Sequence, residues 1–365
     1  MTQDNAPLKT TPLFSAHQEL SAKMGPFAGW DMPIQYVGIL AEAQHTRRAV
    51  SCFDICHMGE FLVEGDATSS GLERCVAANL ETLAAGSCRY ASMLNEAGGV
   101  MDDLIVYRKS AASWMIVVNA ARVERDREQF THHLSPRARF QDVSDAWGKI
   151  DLQGPQSRDV LTNFAPKAAG LGYYTFIETR LLGAPAIVSR TGYTGELGFE
   201  LYLPPAKISA LWKRLLADPR VRPAGLGCRD VLRLEMGYSL YGQDMDETTT
   251  PLEAGLEKFI DLSKDFIGRP ALLKQKKEGR RRHRVFFASR SRRSPRHGHK
   301  IFVDGKETGT VTSGTFSPHC GTGIGMGFAA APLAAGQAIG IGEDAPLFEA
   351  IVCTPPFVKQ TSLRA

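Results

Sequence analysis

RTGYTGELGFE, Arg190 to Glu200, is the stretch on which the reading of this chain turns, and FELYL, Phe199 to Leu203, continues it. Gly192, Gly195 and Gly198 punctuate a short polar turn and are read as positions whose backbone geometry a β-carbon would forbid. FELYL alternates, so Phe199, Leu201 and Leu203 share one face of a strand while Glu200 and Tyr202 share the other. A carboxylate therefore stands on a rigid element at the mouth of a tight turn, beside Tyr193 and Tyr202. That arrangement suits a flat, hydrogen-bonding heterocycle. Taken alone, the segment also fits a glycine-rich hairpin with a solvated glutamate.

Working outward, helical and strand-like patterns alternate without a repeat. Ile39 to Val50, Ala121 to His133, Ala206 to Leu216 and Arg229 to Leu240 read as helices. PQSRDVLTNF is helix-like, with Pro155 suited to a first turn. Phe53 to Val63 reads as strand, Lys149 to Leu152 begins another, and Leu104–Tyr107 with Trp114–Val118 reads as a hairpin. IFVDGKETGTVTSGTF is a second hairpin with an Asp304-Gly305 turn. Interspersed helices and hairpins favour α+β over a doubly wound parallel sheet.

The 365 residues are enough for two or three domains, and 43% hydrophobic with 22% charged content is ordinary for a soluble globular protein. The net charge of +4 conceals one basic tract: Lys274 to Lys300 holds twelve Lys or Arg and one acid, Glu278. A solvated interdomain linker and a surface that steers an acidic partner are both open readings of that tract. A domain boundary is placed near residue 280. The start, MTQDNAPLKTTPLF, has neither an apolar core nor an arginine-rich amphipathic pattern, so no leader is expected. Without a run of eighteen apolar residues no membrane span is expected. Seven cysteines without a C-x-x-C pair argue for a reducing compartment and against a zinc site, so the expectation is a cytosolic protein without bound metal, or one of the mitochondrial matrix if the chain is a processed eukaryotic form.

Three constellations carry possible chemistry. In GGVMDDLIVYR, Asp102 and Asp103 point to opposite faces of an extended chain, so one can face a cavity while the other caps a turn. In PAGLGCRDVLRLEMGY, Arg229 sits where the helix dipole favours anions, which suggests a partner such as a carboxylate or a ligand oxygen. In FDICHMGEF, His57 lacks serine and aspartate companions at recognisable spacing and is read as a structural, hydrogen-bonded histidine. GTGIGMGF lacks the strand–turn–helix context of a dinucleotide fingerprint, and His297 and His299 lack metal-ligand companions.

The ordered set AGWDMP, FDICHMGEF, GGVMDDLIVYR, VVNAA, RTGYTGELGFELY, RPAGLGCRD, YGQDMDETTTPLEAGL, KDFIGRPAL and TSGTFSP resembles the aminomethyltransferase (T-protein) family of the glycine cleavage system. The likeness runs from about Pro12 to Phe357. It implies a three-domain α+β cloverleaf around a central folate channel. Residues 1–51 with 141–280 would form the folate-binding domain, 52–140 an inserted ferredoxin-like domain, and 281–365 a C-terminal β-barrel or jelly-roll-like domain. It implies tetrahydrofolate as co-substrate and the lipoylated H-protein as partner. The one-carbon unit of an aminomethyl group on the lipoyl arm would pass to tetrahydrofolate, with release of ammonia.

Carried over position by position, the resemblance makes Asp103 the catalytic aspartate beside nitrogen 10 of the folate. Glu200 becomes the pterin-binding glutamate and Arg229 the folate-contacting arginine. Tyr193 and Tyr174 become pocket aromatics, and Tyr90, Met58 and Asn119 residues near the pterin and the reacting end. Cys56, where a serine is usual, and Arg122, where an asparagine is common, depart from the pattern, as does PFVKQ without its usual tyrosine. A related demethylase acting on another methyl donor is the alternative. The K-G-C-Y-x-G-Q-E signature of folate-binding iron–sulfur maintenance proteins does not occur. A nucleic-acid module on the basic tract is disfavoured because few aromatics interleave it.

Overall fold

The computed structural model describes residues 7–365; the first six residues of the stretch read above for a leader lie outside the described residues. Close contacts divide the chain into two compact units. One comprises Met1–Gly59, Val143–Asp230 and Thr361–Ala365, the other Glu60–Asp142 and Val231–Gln360.

The first unit is built on a six-stranded sheet, in the order Phe176–Leu181, Ala184–Ser189, Gly198–Leu203, Gly148–Gln153, Val50–Asp54 and Val221–Pro223. Only the last pairing is parallel. The alternation in FELYL is realised: Phe199, Leu201 and Leu203 are fully buried in the core with Ile150 and Leu152 of the neighbouring strand. The helix Pro205–Leu216 covers that face, and its Ile208, Leu211 and Leu215 enter the same core. Gly148 leaves room for that helix, since a β-carbon there would lie 2.9 Å from the Ile208 side chain. The sheet's other face carries Lys149, Asp151, Gln153, Glu200 and Tyr202, all polar or amphipathic.

The second unit holds two sheets. A five-stranded one has the order Ser87–Leu94, Val100–Ser110, Ser113–Val118, Gly59–Glu64, Arg139–Asp142, and the helix Val123–His133 places Phe130 in its core. The second closes as a six-stranded antiparallel barrel between His283 and Cys353. The Asp304-Gly305 turn forms as read, with φ of 49° and 77°, the left-handed pair a two-residue hairpin turn requires. GTGIGMGF is a barrel strand, Thr322–Ala329, and its glycines admit neighbours: a β-carbon on Gly323 would lie 2.0 Å from the Arg293 carbonyl.

Several local expectations shift. Phe53 to Val63 is two strands, because the chain turns at Ile55–Met58. The helix placed at Arg229–Leu240 spans Leu226–Glu235 and stops before Gly237, whose φ is 72°. The helix after VVNAA begins at Val123, after a 3₁₀ turn at Ala120–Arg122. The basic tract is partly regular structure, with most of its basic side chains exposed. It contains the end of the helix Arg269–Glu278 and the strand His283–Ser289, whose alternation buries Val285 and Phe287. Arg280 pairs with Glu257, Arg282 donates to Thr249, and buried Arg284 faces Asp244.

Candidate functional site

The eight residues singled out by sequence fall in both units, and each keeps part of its surface accessible. Their immediate supports, Asp151 and Tyr202 in the first unit and Asp102 in the second, are fully buried. Partly open groups on closed, rigid footings are what ligand-handling side chains require.

In the first unit, Glu200 lies opposite Asp151 on adjacent antiparallel strands. Tyr202 donates to Glu200 Oε2 at 2.9 Å from two residues along the same face. Arg229 Nη1 binds Asp151 Oδ2 at 2.5 Å, and its guanidinium stands 5.0 Å over the Tyr193 ring. The acid that Arg229 faces is therefore Asp151, from a distant strand. Burial, followed by the charge of Glu200 against the opposing pull of Arg229, pushes Asp151 up to about 7. Asp151 escaped the sequence reading. Its signal was the alternation in KIDLQ, which sets Lys149, Asp151 and Gln153 on the face of Glu200.

Gln153 shapes the turn that presents these groups. Its amide donates to Asp151 and to the Thr191 carbonyl, and Thr194 donates to its Oε1 at 2.7 Å. This revises the role of the three glycines. Only Gly195 has a left-handed backbone, with φ of 77°. Gly192 and Gly198 are small because a β-carbon on either would lie 2.2 Å from the Gln153 amide. Tyr174, itself at φ 61°, donates its backbone N–H to the Arg190 carbonyl and meets Tyr173 edge-on at 4.8 Å. Met58 sits in the turn after Asp54, next to His57. His57 is buried against Phe27, and its Nδ1 has no hydrogen-bond partner among the described residues. Burial, reinforced by Arg229 and Lys149 and opposed by Asp54, pushes it down to about 3, so the imidazole is neutral at physiological pH.

In the second unit, Asp103, Tyr90 and Asn119 form one cluster. Tyr90 donates its hydroxyl to Asp103 Oδ2 at 3.0 Å, across paired strands. Asn119 Nδ2 lies 2.9 Å from Asp103 Oδ1 and 2.8 Å from Asp102 Oδ1. Asp102 also accepts the Asn119 backbone N–H at 3.0 Å. Buried Asp102 anchors the turn at Asn119, and Asp103 keeps part of its surface accessible. Burial and the adjacent Asp102 charge push Asp103 up to about 7, against the two hydrogen bonds that favour its anion. A carboxyl poised there can take and return a proton near neutrality.

Comparison with known proteins follows these features. Residues 13–264 match the GCVT N-terminal domain family, and residues 281–359 match the glycine cleavage T-protein C-terminal barrel domain family. The chain is 44% identical to an aminomethyltransferase of Halothermothrix orenii over 326 residues, 88% of this chain and 91% of that one. It is 41% identical to one from Phocaeicola vulgatus over 362 residues, 96% of this chain and 100% of that one. Among solved structures, the glycine cleavage system aminomethyltransferase T from Bartonella henselae is similar at a TM-score of 0.90 and 34% identity. That match covers 97% of this chain and 99% of the other.

Proposed function

The chain belongs to the aminomethyltransferase (T-protein) family of the glycine cleavage system, and from that membership we propose how its residues act on tetrahydrofolate and a lipoylated H-protein. The carrier's arm presents a carbon bonded to sulfur and to an amine. Nitrogens 5 and 10 of the folate each form a bond to that carbon as its bonds to nitrogen and sulfur break. The two N–H protons leave with ammonia and the dihydrolipoyl thiol, and 5,10-methylenetetrahydrofolate forms. Glu200, oriented by Tyr202, accepts the paired N–H donors of the pterin edge in a bidentate geometry. Arg229, fixed by Asp151, and Tyr193 beneath it hold the folate, with Tyr174 and Met58 as further pocket contacts. Asp103 orients nitrogen 10 and carries its proton, steadied by Tyr90 and Asn119. Most of the rate advantage comes from holding two carried groups together.

The single observation that carries this reading is the environment of Asp103: a part-open carboxyl, fixed by two donors and raised to about 7. The same proposal includes the three-part division at 1–51 with 141–280, 52–140 and 281–365. It is supported by separate hydrophobic clusters around Phe130 and within the barrel. A cytosolic location also belongs to it, supported by seven free cysteines. The test is turnover of aminomethylated lipoyl carrier with tetrahydrofolate. Asp103→Asn is expected to bind folate normally and turn over at least 100-fold more slowly. Glu200→Ala is expected to weaken folate binding about 10-fold or more. Wild-type turnover in both variants would remove the assigned roles.

A further inference from the structure

Asp151 holds Arg229 at its tip. The start of the same helix, Leu226–Glu235, is held by a carboxylate that neither the sequence reading nor the proposed mechanism uses. Glu42, on the helix Ile39–Arg48 of the first unit, is buried. Its Oε1 accepts three successive backbone N–H groups, from Tyr36 at 2.6 Å, Val37 at 3.0 Å and Gly38 at 3.1 Å. Gly38 is the residue that caps this helix and has no side chain to offer, so Glu42 reaches back to satisfy the donors of the approach. Its Oε2 accepts a fourth N–H, from Gly225, at 2.9 Å across 183 residues. Gly225 immediately precedes Leu226–Glu235, and its carbonyl accepts the N–H of Arg229 at 3.1 Å. The approach there is close. A β-carbon on Gly225 would lie 2.3 Å from the Ile34 carbonyl oxygen, and one on Gly227 would lie 2.6 Å from the Ile39 side chain. The buried Gly225 N–H therefore faces packed chain, where a donor without an acceptor is costly, and Glu42 supplies a charged one. Thr46, one turn along from Glu42, adds a second tether. Its hydroxyl donates to the Glu42 carbonyl at 2.9 Å and lies 3.7 Å from Cys228 Sγ.

We propose that Glu42 is a positioning residue for folate: by fixing Gly225 it sets the start of the helix that carries Arg229, and with it the point from which Arg229 reaches the ligand. Arg229 stands in the first turn after Gly225, about 6 Å along the helix axis, so a displaced start is passed on to its side chain. Asp151 fixes the guanidinium and Glu42 fixes the backbone. Several rotatable bonds lie between the two points, so neither anchor replaces the other. The inference extends the folate role given to Arg229 and rests on that role for its effect on binding alone.

Tetrahydrofolate titrations and steady-state kinetics on the full chain test this. In Glu42→Gln one oxygen becomes an amide nitrogen, so a single acceptor is left for donors that lie on both sides. The folate Kd should rise about 5–10-fold while kcat at saturating folate stays within about twofold of wild type, the pattern of lost uniform binding. A double-mutant cycle separates positioning from general support of the fold. Arg229→Ala alone should weaken folate binding about 10-fold or more, and adding E42Q to it should weaken binding less than about twofold further. Unchanged affinity in E42Q, or an undiminished loss in the R229A background, overturns the proposal. Glycine-selective amide exchange by NMR reads the anchor itself. Gly225 should exchange at least about 1000-fold more slowly than a free amide in wild type, and at least about 10-fold faster in E42Q than in wild type. A freely exchanging Gly225 in wild type, or one that E42Q does not accelerate, also overturns it. Should E42Q fail to fold, Glu42→Asp takes its place, one methylene too short to span both sets of donors, and the wild-type exchange rate is read as before. If R229A bound folate normally, the role given to Arg229 would fail, while faster Gly225 exchange in E42Q would leave the anchor standing.

Discussion

Replacing Asp103 by asparagine should make the protein more stable while it loses activity. An aspartate ordinarily titrates at 3.8, and Asp103 is raised to about 7 in the folded chain. A raised carboxyl contributes stability that is complete below the unfolded value and is lost as pH climbs from about 4 to about 7. Above pH 7 the folded state carries the full cost of its ionisation. A shift of roughly three pH units corresponds to an upper bound of about 4 kcal/mol. Asp103 keeps partial solvent access, so screening reduces this, and about 2 kcal/mol is the expected gain at pH 8. Asparagine retains the local bonds: its oxygen accepts from Asn119, and its amide donates to the Tyr90 hydroxyl, which exchanges roles. Thermal melting of wild type and D103N at pH 4, 6 and 8 is the assay. The variant should melt about 2–3 °C higher at pH 8, less at pH 6, and within error of wild type at pH 4. Equal melting temperatures at all three values, or a variant less stable at pH 8, would refute the burial and charge argument.

Other outcomes follow from the same geometry. Tyr90→Phe removes one of the two bonds that hold Asp103 toward its anion. The acid limb of kcat/KM should therefore move up by about half a pH unit, read from the rate profile. Gly198→Ala should destabilise the fold by about 1–3 kcal/mol in denaturant melts and weaken folate binding, because its β-carbon would displace Gln153 and with it the turn before Glu200. Asp151→Ala should lower the melting temperature and weaken folate binding together. Removing one partner of a buried pair costs about 3–5 kcal/mol, and here it releases Arg229. An unchanged folate affinity in D151A would separate Arg229 from the ligand.

What the sequence determined by itself was local. Period-two alternation placed Phe199, Leu201 and Leu203 inward and Glu200 outward, and the Asp304-Gly305 pair announced its hairpin, because strand faces and tight turns depend only on near neighbours in the chain. The motif order identified the family, and with it every candidate residue that proved part-open. Tertiary structure decided which groups meet across long separations. Asp151 answers Arg229 across 78 residues, and Gln153 rather than backbone strain accounts for Gly192 and Gly198. The physical reason is that a strand's polar face declares itself in sequence only as alternation. Which carboxyl keeps its proton and which arginine it holds are fixed by burial and by charges that packing brings together.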